Sequence, residues 1–191
     1  METGRVRMFR RLVIVGFVAL AVRAAYAGQV QAATELTSIL AALLEQRANF
    51  VPPLLVQKEP LPILPSEHWR SPLFQRMPQE LKDALAHGAK APIGAWDQAM
   101  WPATAELVPK QTIDASVRSR KDRGRFLKRF GVSGCSNAFS VPLITDDRLD
   151  ALVYYEHSCF AGGLAEYVWL SRTSVSSSWQ MQGWSTARVD G

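Results

Sequence analysis

Three sets of side chains in this sequence carry chemistry beyond packing. They are the cysteines Cys135 and Cys159, the histidines His68, His87 and His157, and a basic run of Arg118, Arg120, Lys121, Arg123, Arg125, Lys128 and Arg129. The cysteines come first, because spacing alone tests whether they can meet. Opposed residues of an antiparallel hairpin share one number sum, so pairing Cys135 with Cys159 centres the turn on Asp147. Asp147 is the middle of Thr145-Asp146-Asp147-Arg148, a turn by composition. The same register sets Phe139 against Tyr155, Val141 against Val153 and Leu143 against Ala151, all apolar and all on one face. The expectation is a cross-strand disulfide closing the base of the hairpin, contributing roughly 3 kcal/mol by chain entropy.

That pairing takes both thiols out of metal chemistry. No C-x-x-C, H-E-x-x-H, P-loop or dinucleotide G-x-G-x-x-G occurs, so neither a metal nor a cofactor is expected. Gly131 to Cys135 starts like a nucleophile elbow, but Cys135 stands where a glycine is required, and the helix-to-strand order is reversed. The register also places His157 opposite Asn137, beside the disulfide. Asn137 and His157 form a candidate polar-ligand site. They are also the best available residues for an enzyme with a pocket between helix and sheet. No third group joins them, because Glu156 points to the other face of the strand, so no catalytic residue is assigned.

The basic run makes Arg118, Arg120, Lys121 and Arg125 candidates for binding an anionic ligand or surface, against the alternative of a solvated helix face. Nucleic acid is not the expected partner. Phe126 and Phe130 fall on the apolar side of the helix and do not interleave as a stacking platform. Trp96, Trp101 and Trp184 are candidates for stacking on sugars if exposed, and for core packing if not.

The chain has 191 residues, 48% hydrophobic, with a formal charge of +5. Such a composition excludes wholesale disorder and a polytopic membrane protein. Residues 1–27 have the build of a secretory signal peptide. Arg5, Arg7, Arg10 and Arg11 precede the apolar run Leu12 to Val22, and Ala25-Tyr26-Ala27 follows. The run is too short to span a bilayer, so no transmembrane segment is expected after cleavage. This leader holds five of the 22 Lys+Arg and one of the 17 Asp+Glu, which leaves the remainder near neutral at +1. The export signal also argues for oxidising surroundings, periplasmic or extracellular, and for an unknown partner there.

Residues 28–191 read as one α+β domain. An amphipathic helix is expected over Thr34 to Ala48, with Thr34 as N-cap and Leu36, Ile39, Leu40, Leu43 and Leu44 on one face. Pro52, Pro53, Pro60, Pro62 and Pro65 make residues 52–65 an irregular segment lying against the domain. A short helix follows from Met77 to His87, then a loop over residues 88–111. A helix over Thr112 to Phe130 ends at Gly131, with a bend or break near Arg120 or Gly124. Four strands complete the chain: Asn137–Ile144, Ala151–Cys159, Leu164–Arg172 and Ser178–Ser185. Pro142 marks the first as an edge strand at that point. The expected architecture is α+β, with helices packed on one face of a four-stranded antiparallel β-meander.

The segment from about Arg125 to Trp184 resembles a recurrent pattern in exported bacterial proteins of unknown function. The matching residues are Phe126 to Phe130, Phe139-Ser140-Val141-Pro142, Ala151-Leu152-Val153-Tyr154-Tyr155, Cys159, Gly162-Gly163, Tyr167-Val168-Trp169-Leu170 and Trp179. The pattern often has a second cysteine in the glycine turn, where this chain has Leu164 or Ala165, and Cys135 takes the partner role instead. The resemblance implies architecture and no catalytic residues. The helix-then-sheet order also resembles NTF2-like and cystatin-like folds. The leading expectation is an exported, non-catalytic domain that binds a ligand or partner. The alternatives are a hydrolase-like or other small-molecule enzyme, and a structural or inhibitory protein acting through the sheet edge near Pro142.

Overall fold

The computed structural model describes residues 33–46, 54–63, 71–87, 94–130, 135–160 and 162–190. The expected signal peptide, Gly131 and the ends of the proline-rich segment lie outside these. The chain divides into two units, residues 1–35 and 36–191. In the first, residues 33–35 are helical, so Thr34 lies within a helix and is not its cap.

The second unit begins with α1 (residues 36–46), whose Ile39, Leu40 and Leu43 are buried as the 3.6-residue period requires. Then come β1 (Leu54–Gln57), α2 (Pro72–Arg76), α3 (Gln79–His87), a 3₁₀ turn (Gln98–Met100) and β2 (Ala105–Val108). Next are α4 (Lys110–Ser116) and α5 (Arg120–Phe130). The strands β3 (Cys135–Phe139), β4 (Leu143–Ile144), β5 (Asp150–Cys159), β6 (Gly162–Ser171) and β7 (Gln180–Asp190) complete it. The α+β class holds, but the sheet is not a four-stranded antiparallel meander. It has seven strands in the order β2-β1-β3-β5-β6-β7, with β4 also on β5. The β2–β1 and β1–β3 ladders are parallel and the rest antiparallel. Because β1 and β2 fall among the helices, the helix-then-sheet order behind the NTF2-like and cystatin-like analogy does not hold.

Both added strands are four residues long. β1 is buried along its whole length: Leu54 and Val56 join one core, and Leu55 joins another on the opposite face. A strand covered on both faces shows no period-two pattern, and the prolines around it suggested irregular chain. β2 is placed by register, since Leu54 pairs with Ala105 and Gln57 with Val108.

Helices cover both faces of the sheet, not one. α1 packs with Trp96, Trp101 and Trp179 over Phe139, Val153, Tyr155 and Val168. On the other face Leu73, Phe74, Leu81 and Leu85 of α2 and α3 pack on Leu152, Tyr154 and Tyr167. At the β1–β2 end of the sheet, Phe126 and Phe130 of α5 pack on Leu55 and Val108. Polar ties anchor these layers. Gln46 of α1 donates to the Trp179 carbonyl (3.0 Å) and accepts from the Met181 amide (2.8 Å). Glu80 of α3 accepts from the Asp146 amide at 2.7 Å, fixing the hairpin turn.

The expected hairpin register holds at its base and slips at its tip. Cys135 pairs with Cys159, Asn137 with His157 and Phe139 with Tyr155. Beyond Ser140, Leu143 faces Leu152 and Ile144 faces Ala151, one residue off the expected pairing of Leu143 with Ala151. The expected Val141–Val153 pair falls within this slip. The extra residue makes a β-bulge at Val141-Pro142, where proline has no amide to give the ladder. Ser140 repairs the gap. Its backbone amide donates to the Tyr154 carbonyl (2.8 Å), and its Oγ accepts from the Tyr154 amide (3.0 Å). Pro142 is buried and α3 packs on β4, while Leu61 bridges to Ser140. Pro142 falls between β3, which is interior, and β4, which among the described residues pairs only with β5, so the chain is an edge at that point as expected; the main path of the sheet ends in β2 and β7.

Ser140→Ala leaves the buried Tyr154 amide without its acceptor, a loss of about 1–3 kcal/mol. A lower urea midpoint with unchanged slope is the expected result. An unchanged midpoint would show that the bulge needs no side-chain acceptor.

Candidate functional site

Two constellations stand out, one at the disulfide and one beside α5. The first is built by the β3–β5 register. Odd-numbered residues of both strands share a face, so Cys135, Asn137, His157 and Cys159 come together at its end. Cys135 and Cys159 are disulfide-bonded across a Cα–Cα distance of 4.1 Å, as expected. Asn137, 5% exposed, donates from Nδ2 to the Leu55 carbonyl at 3.2 Å. Its Oδ1 stands 2.8 Å from His157 Nδ1, and His157 Nε2 stands 3.2 Å from Cys159 Sγ. The β5–β6 hairpin closes over this corner. Gly162 has φ 145°, and a Cβ at Gly163 would meet the His157 carbonyl at 2.8 Å, so both positions require glycine.

Burial holds the His157 pKa below its ordinary value of 6.5. Unfolded chain therefore takes up the proton first as pH falls. The neutral imidazole's contribution to stability is complete above pH 6.5 and is lost as pH drops below it towards the lower folded value.

The second constellation begins with a break in the expected Thr112–Phe130 helix. α4 ends at Ser116 and α5 begins at Arg120, so the chain turns before Arg120 and runs unbroken through Gly124. Ser119 explains the restart. Its Oγ accepts from the Asp122 amide (3.1 Å) and donates to the Asp122 carboxylate (2.6 Å), a reciprocal N-terminal cap. The angle between α4 and α5 leaves an open cleft of about 510 Å³. Thr112 and Ala115 form one wall, and Arg125, Phe126, Arg129 and Phe130 the other, with Arg118 at the link.

Of the four basic residues expected to meet an anion, Arg118 and Arg125 line this cleft, and Arg120 and Lys121 do not. Arg129, part of the basic run but not singled out, joins them. Its position was legible, because Arg125 and Arg129 are one helical turn apart and each directly precedes a core phenylalanine. Arg125 lies 3.6 Å from the Asp122 carboxylate. Among the described residues neither Arg118 nor Arg129 has a carboxylate partner, and the Arg129 guanidinium lies over the Phe130 ring at 4.8 Å. Three guanidiniums thus face one carboxylate.

The tryptophans divide. Trp96 and Trp101 are 5% and 6% exposed and pack edge to face, while Trp184 on β7 is 53% exposed. A second cleft of about 340 Å³, lined by Ala41, Leu44, Met100 and Trp101, is apolar. Neither cleft contains His157 or Asn137. No described helix is long and apolar enough to cross a membrane. No protein-family model matches this chain, and no match is found among curated proteins or solved structures.

Thermal melts against pH test the His157 environment. Wild type should lose stability below pH 6.5, and His157→Gln should flatten that slope. Identical slopes would contradict the assignment.

Proposed function

We propose that this chain is an exported bacterial binding domain, non-catalytic, that takes a small anionic ligand between α4 and α5. The observation that carries this reading is the convergence of Arg118, Arg125 and Arg129 on one concave surface floored by Phe126 and Phe130. Guanidinium groups suit carboxylate and phosphate because their planar donors match two acceptor oxygens at once. The aromatic floor lowers the local dielectric and adds apolar contact for the rest of the ligand. A concave site favours a small molecule over a flat anionic surface. The disulfide is compatible with an oxidising compartment.

The charge is local, so the test can be local. Isothermal titration with phosphate esters and small carboxylates should give binding that weakens with salt. Arg118→Glu/Arg125→Glu should lower affinity by about tenfold or more, the scale of losing charge-assisted hydrogen bonds. Arg120→Glu/Lys121→Glu changes net charge equally but lies off the cleft, and should leave affinity within about twofold after screening. Equal losses from both pairs would point to the general basic character of the helix and overturn the cleft as the site.

A further inference from the structure

In the oxidised chain the sulfurs of Cys135 and Cys159 are bonded to each other and ligate nothing. His157 is nevertheless held as a ligand would be. One donor atom from each of Cys135, His157 and Cys159 lies within 4.8 Å of the others. The Asn137 amide orients the ring. Nδ2 is committed to the Leu55 carbonyl, so Oδ1 is the atom that meets His157 Nδ1. An amide oxygen can only accept, which places the imidazole proton on Nδ1. Nε2 then directs its lone pair at the sulfurs, 3.2 Å from Cys159 Sγ. A ring nitrogen held by a carbonyl oxygen on its outer side, with the inner nitrogen free, is the usual support of a metal-ligating histidine.

The geometry points to a zinc site made by Cys135, Cys159 and His157 in the dithiol form of the protein, and closed by the disulfide. Two thiolates and an imidazole select zinc over magnesium or calcium, and three protein ligands leave a fourth position for water. Two thiolates on one zinc stand about 3.8 Å apart. Side-chain rotation on adjacent strands supplies that spacing, which requires the backbone pairing from Cys135–Cys159 to Phe139–Tyr155 to survive reduction. Opening the site takes two electrons from a dithiol reductant. The protein disulfide becomes two thiols, the reductant becomes a cyclic disulfide, and both thiol protons pass to solvent as zinc binds. The site would thus be empty under oxidising conditions and available under reducing ones.

The full chain, reduced with a dithiol and freed of it under anaerobic conditions, is titrated with Zn²⁺ against a chromophoric chelator, with near-UV circular dichroism to follow the fold. Cobalt is substituted to read thiolate-to-metal charge transfer. The reduced protein should bind one equivalent, the oxidised protein none, and His157→Gln should weaken binding about tenfold or more. Zinc held no more tightly by reduced than by oxidised protein would overturn the site, as would an unchanged affinity in His157→Gln. Loss of the native spectrum on reduction would also overturn it, because the site requires the ladder to survive.

Discussion

The side-chain amide of Asn137 sits where the two halves of the sheet join. β3 pairs parallel with β1 on one side and antiparallel with β5 on the other. Asn137 is the β3 residue opposite both Val56 and His157, and it is buried. A buried amide without partners would be costly. Here each end is used, Nδ2 on the β1 carbonyl and Oδ1 on the β5 imidazole. The short β1–β3 pairing is thereby reinforced by a side chain, and His157 receives a fixed orientation beside the disulfide.

Both candidate sites depend on this junction. The disulfide corner is formed directly by it. The α4–α5 cleft depends on it at one remove, because Phe126 and Phe130 pack on Leu55 and Val108, and these belong to the strands that β3 holds in the sheet. A small cluster with Ile113 and Phe160 against it secures α5, whose other side presents Arg125 and Arg129. The basic residues are therefore carried on a packed helix rather than a free one, which limits the ordering cost of binding.

Local signals in the sequence gave the hairpin base, including Cys135 with Cys159 and Asn137 with His157, because a polar turn and apolar alternation fix an antiparallel register. The same reasoning slipped at Val141-Pro142, since one inserted residue moves every later pair and only the Ser140 hydroxyl marks where it sits. β1 and β2 were not legible. Their pairing is parallel and about fifty residues apart in sequence, and burial on both faces erases alternation. Of the cleft, the spacing of Arg125 and Arg129 and a bend or break near Arg120 could be read, but not the Ser119 cap that sets the turn and brings Arg118 towards them.

The disulfide corner rests on one assignment, the His157 tautomer set by Asn137. It is tested most directly by long-range ¹H–¹⁵N correlation of the imidazole in the oxidised protein, above pH 6.5 where the ring is neutral. A protonated Nδ1 and a bare Nε2 are expected, a pattern kept in Asn137→Asp, whose carboxylate also only accepts, and shifted in Asn137→Ala. A proton on Nε2 in the wild-type protein would contradict it.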